Sequence, residues 1–223
     1  MDLEKRKLEE DQLLAVYNNI YLYKIGYSNL KEFSNFVFQK YAYHYNKKYG
    51  WEPEEIVAEE MYKSDVDQFK DSVYLGFRDI HGRLLGTIKV SERNHQKFSI
   101  EKDFDIVVDE LITTLDFPVN SIWHLGRLAI ASDVLKANHP DISSRQVIQH
   151  LLIHSLQYIA SDPEGLMLAE SDVLIHKIFD ELGLYMEIIG EKKEFLGSPT
   201  YPVLLTSKTI RKWLSSQIEH QIK

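Results

Sequence analysis

One short segment constrains the fold most, because it combines an apolar strand pattern with polar residues that a buried strand rarely carries. The segment 122–130, IWHLGRLAI, follows Pro118 and Asn120 and precedes the polar pair Ser132-Asp133. A short apolar run between such turn residues predicts a buried strand at the centre of a sheet. His124 and Arg127 within it predict that this central strand also forms part of a functional site.

Gly126 separates the two polar residues and determines where they can point. In a regular strand the side chains alternate, so His124 and Arg127 would face opposite sides of the sheet. A glycine is the least costly place for a bulge, and one extra residue would bring both side chains to the same cavity. An ordinary strand, with a core histidine and an arginine in a salt bridge, is the structural alternative.

Composition excludes several classes of protein. The chain has 223 residues, of which 44% are hydrophobic, and no linker-like tract interrupts it, so we expect a single domain over residues 13–223. Residues 1–12 are charged, and we expect them to form a frayed or disordered leader. A net charge of −8 argues against a general nucleic-acid-binding protein. The absence of cysteine excludes disulfides and cysteine-ligated zinc. No run approaches the roughly 20 apolar residues of a membrane span, so we expect a cytoplasmic protein with no integral membrane segment.

Hydrophobic periodicity and turn residues predict the order of elements. A strand over 17–27 comes first, and a helix from Asn29 to Gly50 follows it. The other expected elements are a helix at 54–61, a hairpin of 72–78 with 83–92, a helix at 104–115, the central strand, a helix opening at 143–145, a strand at 166–169, a helix at 171–182, a strand pair of 185–190 with 201–206, and a helix at 209–222. This order predicts an α/β (α+β) fold, a mixed sheet with helices on both faces.

The helix that opens at Ser143, Ser144 and Arg145 predicts an anion site. Unpaired amides and the positive end of the helix dipole favour a phosphate at such a start. Simple capping by a serine is the alternative. The sequence has no P-loop and no G-x-G-x-x-G motif after a strand, so it lacks the signatures of nucleotide hydrolysis and dinucleotide binding.

These residues together resemble a known superfamily. The chain is similar, over about residues 15–206, to the GNAT acyltransferases, and within them to acyl-homoserine-lactone synthases and N-acyl amino acid synthases. Segment 123–130 resembles that branch's Trp-Glu-x-x-Arg strand with its Arg-Leu-Ala-Val/Ile ending, and segment 179–184 resembles the superfamily's Tyr-Glu-x-Leu-Gly-Phe. Segment 65–74 is similar to the branch's acidic Asp-x-x-Asp stretch, and segment 40–51 to its arginine-rich helix ending in tryptophan.

The resemblance implies a mixed, mostly antiparallel central sheet in which the central strand and the strand at Leu166 splay apart. A phosphopantetheine arm would lie in the gap, and the acyl chain would enter an apolar tunnel. The donor would be acyl carrier protein or an acyl-CoA, acting as a co-substrate with no permanently bound cofactor. The residues expected to bind this donor are Leu128, Ala129, Ile130, Ser143, Ser144 and Arg145.

The implied chemistry is transfer of a long acyl group from the thioester to the amine of an amino acid or a similar small acceptor. His124 replaces the branch's glutamate and is the first candidate for the catalytic base. Arg127, the second catalytic candidate, would hold an acceptor carboxylate or pair with an aspartate; the second role is favoured because a buried guanidinium needs an acidic partner. The residues expected to bind the acceptor are Lys40, Tyr41, Trp51 and Asp67.

Three alternatives stay open at the level of sequence. Phe179 replaces the tyrosine that often protonates the departing thiolate, which favours a non-catalytic acyl-binding protein, and a short-chain acetyl-CoA-dependent acetyltransferase is also compatible. His150 and His154 have the spacing of metal ligands, but the segment HLLIH lacks the zincin glutamate, so we predict no metal.

A carrier-protein donor would need a basic surface, for which the candidates are Lys136, Arg145, Lys177, Lys192, Lys193 and Lys208.

Overall fold

The computed structural model describes residues 8–94 and 96–221, with side chains described as far as residue 217. The expected leader lies largely outside the described residues, because only its last five residues, 8–12, are described. Within them, Asp11 accepts hydrogen bonds from the Gly26 amide at 2.9 Å and from Arg78 Nε at 3.2 Å. The chain divides into two compact units, Met1–Lys89 with Arg127–Leu152, and Val90–Gly126 with Ile153–Lys223.

The described residues form a mixed α/β structure. In chain order its elements are β1 (Gln12–Tyr17), β2 (Ile20–Lys24), α1 (Leu30–Tyr49), α2 (Glu55–Asp67), β3 (Ser72–Arg78), β4 (Leu84–Glu92), α3 (Ser99–Asp103), α4 (Val108–Thr113), β5 (Ser121–Ile130), α5 (Ser132–Asn138), α6 (Ser144–Ala160), β6 (Gly165–Asp172), α7 (Val173–Glu181), β7 (Glu187–Ile188), β8 (Lys193–Phe195), β9 (Ser198–Thr206) and α8 (Ser207–Gln221). The β5/β6 pairing is parallel, whereas β1/β2, β2/β3, β6/β9, β7/β9 and β8/β9 are antiparallel. The predicted mixed, mostly antiparallel sheet is therefore confirmed.

The first unit opens with a hairpin that the sequence prediction missed. The single strand expected over residues 17–27 is wrong: β1 and β2 pair as far as Tyr17↔Ile20 and are joined by Asn18 and Asn19. Both asparagines have positive φ, 42° and 65°. Asparagine tolerates this left-handed region better than most residues, so a two-residue turn forms without glycine.

Helix α1 packs on the core of the first unit. Leu30, Phe33 and Val37 are fully buried and belong to one cluster with residues of β2, α2, β3, β4 and β5. The helix ends at Gly50, whose φ of 72° is left-handed, so the predicted helix with Trp51 at its exit is confirmed. Helix α2 extends past the predicted residue 61 to Asp67.

The β3–β4 hairpin, also in the first unit, is confirmed as predicted. The Asp79 amide donates to the Arg83 carbonyl at 3.0 Å, and Gly82 has a φ of 79°. Because a left-handed φ favours glycine, the turn needs Gly82 at this position.

In the second unit the helix predicted over residues 104–115 is confirmed only for α4 (Val108–Thr113), and a separate short helix, α3, precedes it. Asp105, between α3 and α4, has a φ of 57°, which interrupts helical geometry. The break allows Phe98, Ile100, Phe104 and Val108 to pack in one cluster with Leu166, Leu168 and Leu204. Ser99 begins α3 directly after Phe98.

Strand β6 is longer than predicted and supplies a residue to the candidate site. The expected strand at residues 166–169 extends to Asp172 and so includes Glu170. Its parallel ladder with β5 runs from Ser121↔Gly165 to Leu125↔Ala169, and it pairs with β9 on its other edge. Glu170 pairs with Pro202 of β9 and lies one residue beyond the last pair of the β5 ladder.

The remaining helices of the prediction are present, and the last strand pair is found as β7 with β9. Asp172 caps α7 by accepting from the amides of Leu174 and Ile175, and Gly183 follows the helix with a φ of 77°. No helix within residues 8–94 and 96–221 has the length and apolar character required to cross a lipid bilayer.

Candidate active site

The histidine of β5 is held by a buried carboxylate of β6. His124 Nε2 lies 2.7 Å from Glu170 Oε2, and Ser99 Oγ donates to Glu170 Oε1, also at 2.7 Å. The side chains of His124 and Glu170 are 13% and 6% exposed. Both carboxylate oxygens are thus engaged, and the imidazole has one defined partner.

Glu170 stays ionised in this environment. Burial alone would raise the pKa of Glu170, but the neighbouring His124 and the hydrogen bonds from His124 and Ser99 together hold that pKa below its ordinary value. An ionised carboxylate beside an imidazole fixes the orientation of the ring and stabilises its protonated form. The pair therefore has the arrangement of a general base with its orienting group.

The arginine of β5 belongs to a separate buried cluster, in the first unit. Arg127 Nε contacts the two Asp65 oxygens at 3.1 and 3.3 Å, and Lys89 Nζ contacts Asp65 Oδ1 at 3.0 Å. Ser34 Oγ donates to Asp65 Oδ2 at 2.5 Å. The prediction that Arg127 has an aspartate partner is confirmed, and that partner is Asp65, whereas Asp67 lies exposed at the end of α2.

The charges of this cluster modify one another. Burial would raise the pKa of Asp65, but the Arg127 and Lys89 cations, with hydrogen bonds from Ser34 and Lys89, lower that pKa overall. Burial lowers the pKa of Lys89 to about 8, because the attraction of Asp65, opposed by Arg127, offsets only part of the lost hydration. The cluster of two cations and one anion is therefore net positive at neutral pH.

Arg127 has a strained backbone. Its φ of 57° is left-handed, which for a residue other than glycine costs of order 1–2 kcal/mol. Thr87 Oγ1 donates to the Arg127 carbonyl at 3.0 Å, and Asp65 holds the guanidinium, so both ends of the residue are fixed. The irregularity predicted at Gly126 thus lies one residue later. His124 and Arg127 belong to different units, so their predicted common cavity stays a prediction.

Helix α1 carries two of the four expected acceptor-binding residues, Lys40 and Tyr41, and Trp51 follows its end. Lys40 Nζ pairs with Asp133 Oδ1 at 3.2 Å. Tyr41 lies close enough to Arg127 to interact electrostatically with its guanidinium. Trp51 packs edge-on against Tyr45 with ring centroids 6.1 Å apart. It also lines a groove of about 590 Å³, whose other lining residues include Phe38, Ala42, Tyr43 and Asn46.

The expected donor-binding residues lie in the first unit. Strand β5 continues into Ala131, whose amide donates to the Leu85 carbonyl at 2.9 Å, and His44 Nε2 lies 3.4 Å from the Ile130 carbonyl oxygen. Binding of a thioester arm along Leu128, Ala129 and Ile130 stays a prediction.

The start of α6 has a reciprocal cap. The Ser143 amide and hydroxyl each donate to Gln146 Oε1 at 2.9 Å, and the Gln146 amide donates back to Ser143 Oγ at 3.2 Å. This capping box explains the serine by itself. Phosphate binding at Ser143, Ser144 and Arg145 stays a prediction.

The histidines considered as metal ligands have other surroundings. The His150 ring stacks on Tyr17 with centroids 4.0 Å apart, and burial lowers the pKa of His154. Across the residues that the structure describes, no group of three or more histidine, aspartate and glutamate side chains is arranged to hold a metal ion.

Sequence reasoning missed Glu170, Ser99, Asp65 and Lys89. Glu170 lies one residue beyond the predicted strand, and Ser99 lies in a segment assigned to no element. Asp65 lies in the acidic segment 65–74, but the sequence did not predict its position on the buried face of α2. Residues 170–172 are Glu, Ser and Asp, which do not favour strands, so the local sequence contains no signal for Glu170.

The described residues have the GNAT-like fold that the sequence predicted, as similar solved structures show. No protein-family profile and no curated protein matches the sequence. Solved structures do match it. FeeM, an N-acyl amino acid synthase from uncultured soil microbes, has a TM-score of 0.61 at 13% identity, over 91% of this chain and 93% of that chain.

Two further solved structures are similar. TofI, in a ternary complex with an inhibitor and MTA, has a TM-score of 0.54 at 16% identity, over 88% of this chain and 96% of that chain. BjaI, a CoA-dependent acyl-homoserine lactone synthase with SAM and isopentyl-CoA, has a TM-score of 0.52 at 14% identity, over 85% of this chain and 82% of that chain. The likeness confirms the predicted fold.

Proposed function

We propose that this protein is an N-acyltransferase that moves an acyl group from a phosphopantetheine thioester to the amine of an amino acid or a similar small acceptor. The observation that carries the proposal is His124, held at 2.7 Å by the buried Glu170, on a fold shared with an N-acyl amino acid synthase. The fold supports the reaction class, and the paired imidazole supplies the base that aminolysis of a thioester requires.

The base acts because only a neutral amine attacks a carbonyl. His124 takes a proton from the acceptor nitrogen as the new C–N bond forms, and Glu170 stabilises the imidazolium. The tetrahedral oxyanion then collapses, the C–S bond breaks, and the thiolate receives the proton from His124, which returns to its neutral form. Phe179 supports this return path, because it is 3% exposed and carries no hydroxyl that could protonate the thiolate.

The Arg127 cluster supports an acceptor that carries a carboxylate. The Arg127 side chain is 18% exposed, and its cluster carries a net positive charge. The excess positive charge of the cluster attracts a carboxylate, which favours an amino acid over a simple amine. We also assign Lys40, Tyr41, Trp51 and Asp67, all residues of the first unit, to acceptor binding.

For the donor, we propose that the thioester arm pairs with the backbone of Leu128, Ala129 and Ile130. Its phosphate would meet the start of α6 at Ser143, Ser144 and Arg145, where helix amides and a guanidinium favour an anion. A CoA thioester is supported by the CoA dependence of BjaI. Acyl carrier protein is the other donor of the same chemistry.

The test is mass spectrometry of purified protein incubated with amino acid mixtures and three donors: a long-chain acyl-CoA, the same chain on carrier protein, and acetyl-CoA. We expect an N-acyl amino acid from one of the long-chain donors. His124→Gln should lower its formation by about 10²–10⁴-fold. The matched control is His81→Gln, which replaces an exposed histidine of the β3–β4 turn and should leave the rate unchanged.

The outcomes separate the alternatives. Product from acetyl-CoA alone would replace the proposal by a short-chain acetyltransferase. Acyl ligand retained without product, for every acceptor, would identify a binding protein. Equal rates for the His124→Gln and wild-type proteins would remove His124 from the mechanism.

A further inference from the structure

The imidazole of His124 is enclosed on three sides by residues of the second unit. The Phe98 ring lies against it, with centroids 5.1 Å apart and an interplanar angle of 33°. Glu170 contacts its Nε2. Along the remaining edge lies Gly126, where an added Cβ would be 3.1 Å from Cε1 and 3.5 Å from Nδ1 of His124.

Glu170 determines which nitrogen of His124 carries the proton. An ionised carboxylate only accepts hydrogen bonds, so Nε2 must be the donor in the 2.7 Å contact. Ser99 donates to the other carboxylate oxygen, which leaves Oε2 to the histidine. A neutral imidazole has a single N–H, so the free lone pair of His124 lies on Nδ1, at the edge beside Gly126.

The His124 ring leaves little room for a side chain at residue 126, and this crowding, not the backbone conformation, explains the glycine there. Its φ is not left-handed, unlike that of Gly50, Gly82, Gly183 and Gly197. A contact of 3.1 Å is tighter than nearly all real Cβ contacts, so a side chain at residue 126 would move the His124 ring by a few tenths of an ångström. Phe98 and Glu170 limit where the ring could move, and any such movement would change the geometry of the hydrogen bond between Nε2 and Glu170.

We propose that Nδ1 of His124 is the atom that takes the acceptor's proton, and that Glu170 and Gly126 are positioning residues for it. Glu170 selects the Nε2–H tautomer, and the absent side chain at Gly126 keeps the Nδ1 edge of the ring open to the amine. This inference rests on the proposed function for its catalytic meaning, whereas the tautomer and the ring position are properties of the protein without substrate.

The first measurement is ¹⁵N–¹H correlation NMR of the whole protein with labelled histidine, in which the His124 signals are identified by their loss in His124→Gln. We expect an Nε2 with a bonded proton and an Nδ1 without one in the neutral ring. The opposite tautomer would overturn the proposal.

The second measurement compares Gly126→Ala with Gly190→Ala. The control is matched, because a Cβ at Gly190 would lie 3.0 Å from Pro202 Cγ and 3.1 Å from Ile106 Cδ1, a similar crowding without a histidine. We expect Gly126→Ala to shift the His124 signals and to lower kcat by about tenfold or more, with KM within twofold, because a misplaced base slows the chemical step. Equal kcat for the two variants would overturn the role of Gly126.

The third measurement uses Glu170→Gln, which keeps the shape of the side chain. An amide can donate to or accept from Nε2, so we expect a mixture of tautomers and a fall in kcat of about tenfold or more. An unchanged tautomer and an unchanged kcat would overturn the role of Glu170.

Failure of the proposed function has a different signature. Absence of product with every donor and acceptor, together with the expected tautomer of wild-type His124, would contradict the proposed acyltransferase function and, with it, the role of Nδ1 as the proton acceptor. If product forms but the tautomer is the opposite one, acyl transfer stands and this inference is wrong.

Discussion

Strand β5 places one basic side chain against a buried carboxylate in each compact unit, and the two sites differ in how the carboxylate is used. Asp65 is fully buried and contacts two cations and a serine hydroxyl, one of the cations being an arginine that keeps its proton. Glu170 contacts a serine hydroxyl and a single histidine.

The difference separates an ion pair with fixed charges from a pair whose imidazole we propose as a catalytic base. The Asp65 cluster keeps its charges and holds Arg127 in a left-handed conformation. The Glu170 pair is built from a group whose charge can change during a reaction. Removing either carboxylate tests this comparison, because the first should mainly affect stability and the second mainly the rate.

The largest effect is expected for Asp65→Asn. The substitution leaves Lys89 and Arg127 buried without a counter-charge, so we expect a loss of about 3–5 kcal/mol in the free energy of unfolding. Urea denaturation followed by circular dichroism measures it. Asp67→Asn is the matched control, because Asp67 is exposed two residues later, and it should change stability by less than about 0.5 kcal/mol. Equal losses for the two variants would contradict the structural role of Asp65.

Next in size is the stability contribution of Glu170. Its folded-state pKa is depressed, so this contribution is fully present above the ordinary pKa of a glutamate, about 4.3, and disappears as the pH falls through the folded pKa. At pH 7 we expect Glu170→Gln to cost about 1.5–3 kcal/mol, the range for hydrogen bonds to charged groups. Denaturation curves of both proteins from pH 7 to pH 3 should converge at the acid end. A constant gap would show that Glu170 is not ionised in the folded state.

An effect of similar size, confined to alkaline pH, is expected from Lys89. Its folded-state pKa of about 8 lies below its ordinary value of 10.5, so between these values the unfolded chain binds more protons than the folded chain. Stability from this group therefore rises with pH in that window, with a slope of at most about 1.4 kcal/mol per pH unit. Lys89→Met should remove this rise from denaturation midpoints measured between pH 7.5 and about 10.5. A rise of the same size in both proteins would assign it to other groups.

The smallest effect is expected from Lys40→Met. The Lys40–Asp133 pair is partly exposed, with Asp133 56% exposed, so its loss should change the free energy of unfolding by less than about 1 kcal/mol. If Lys40 contacts the acceptor, KM for the amino acid should rise while kcat stays unchanged. Lys48→Met on the same helix is the control, since Lys48 is exposed and lies over the Tyr49 ring. The same KM for both variants would remove Lys40 from the acceptor site.

The sequence alone determined most of the elements, because they depend on local periodicity and turn residues. The apolar run of β5, the β3–β4 hairpin with Gly82 and the helices ending at Gly50 and Gly183 were all predictable in this way. The two-asparagine turn at Asn18 and Asn19 was missed, because aromatic and β-branched residues on both sides concealed it in one apparent strand.

Chemistry also determined, from sequence alone, that Arg127 needs an acidic partner. The rotation of α2 about its own axis decided which aspartate became that partner. Residues two apart on a helix lie about 200° apart around its axis, so burying Asp65 exposes Asp67.

The partner of His124 was decided by the tertiary structure, through the register of two strands that are distant in sequence. In the β5–β6 ladder His124 lies opposite Leu168. Glu170, two residues further along β6, falls on the same face of the strand as Leu168, because side chains alternate with a period of two. No local pattern encodes that register, since it follows from how the buried faces of both strands pack together.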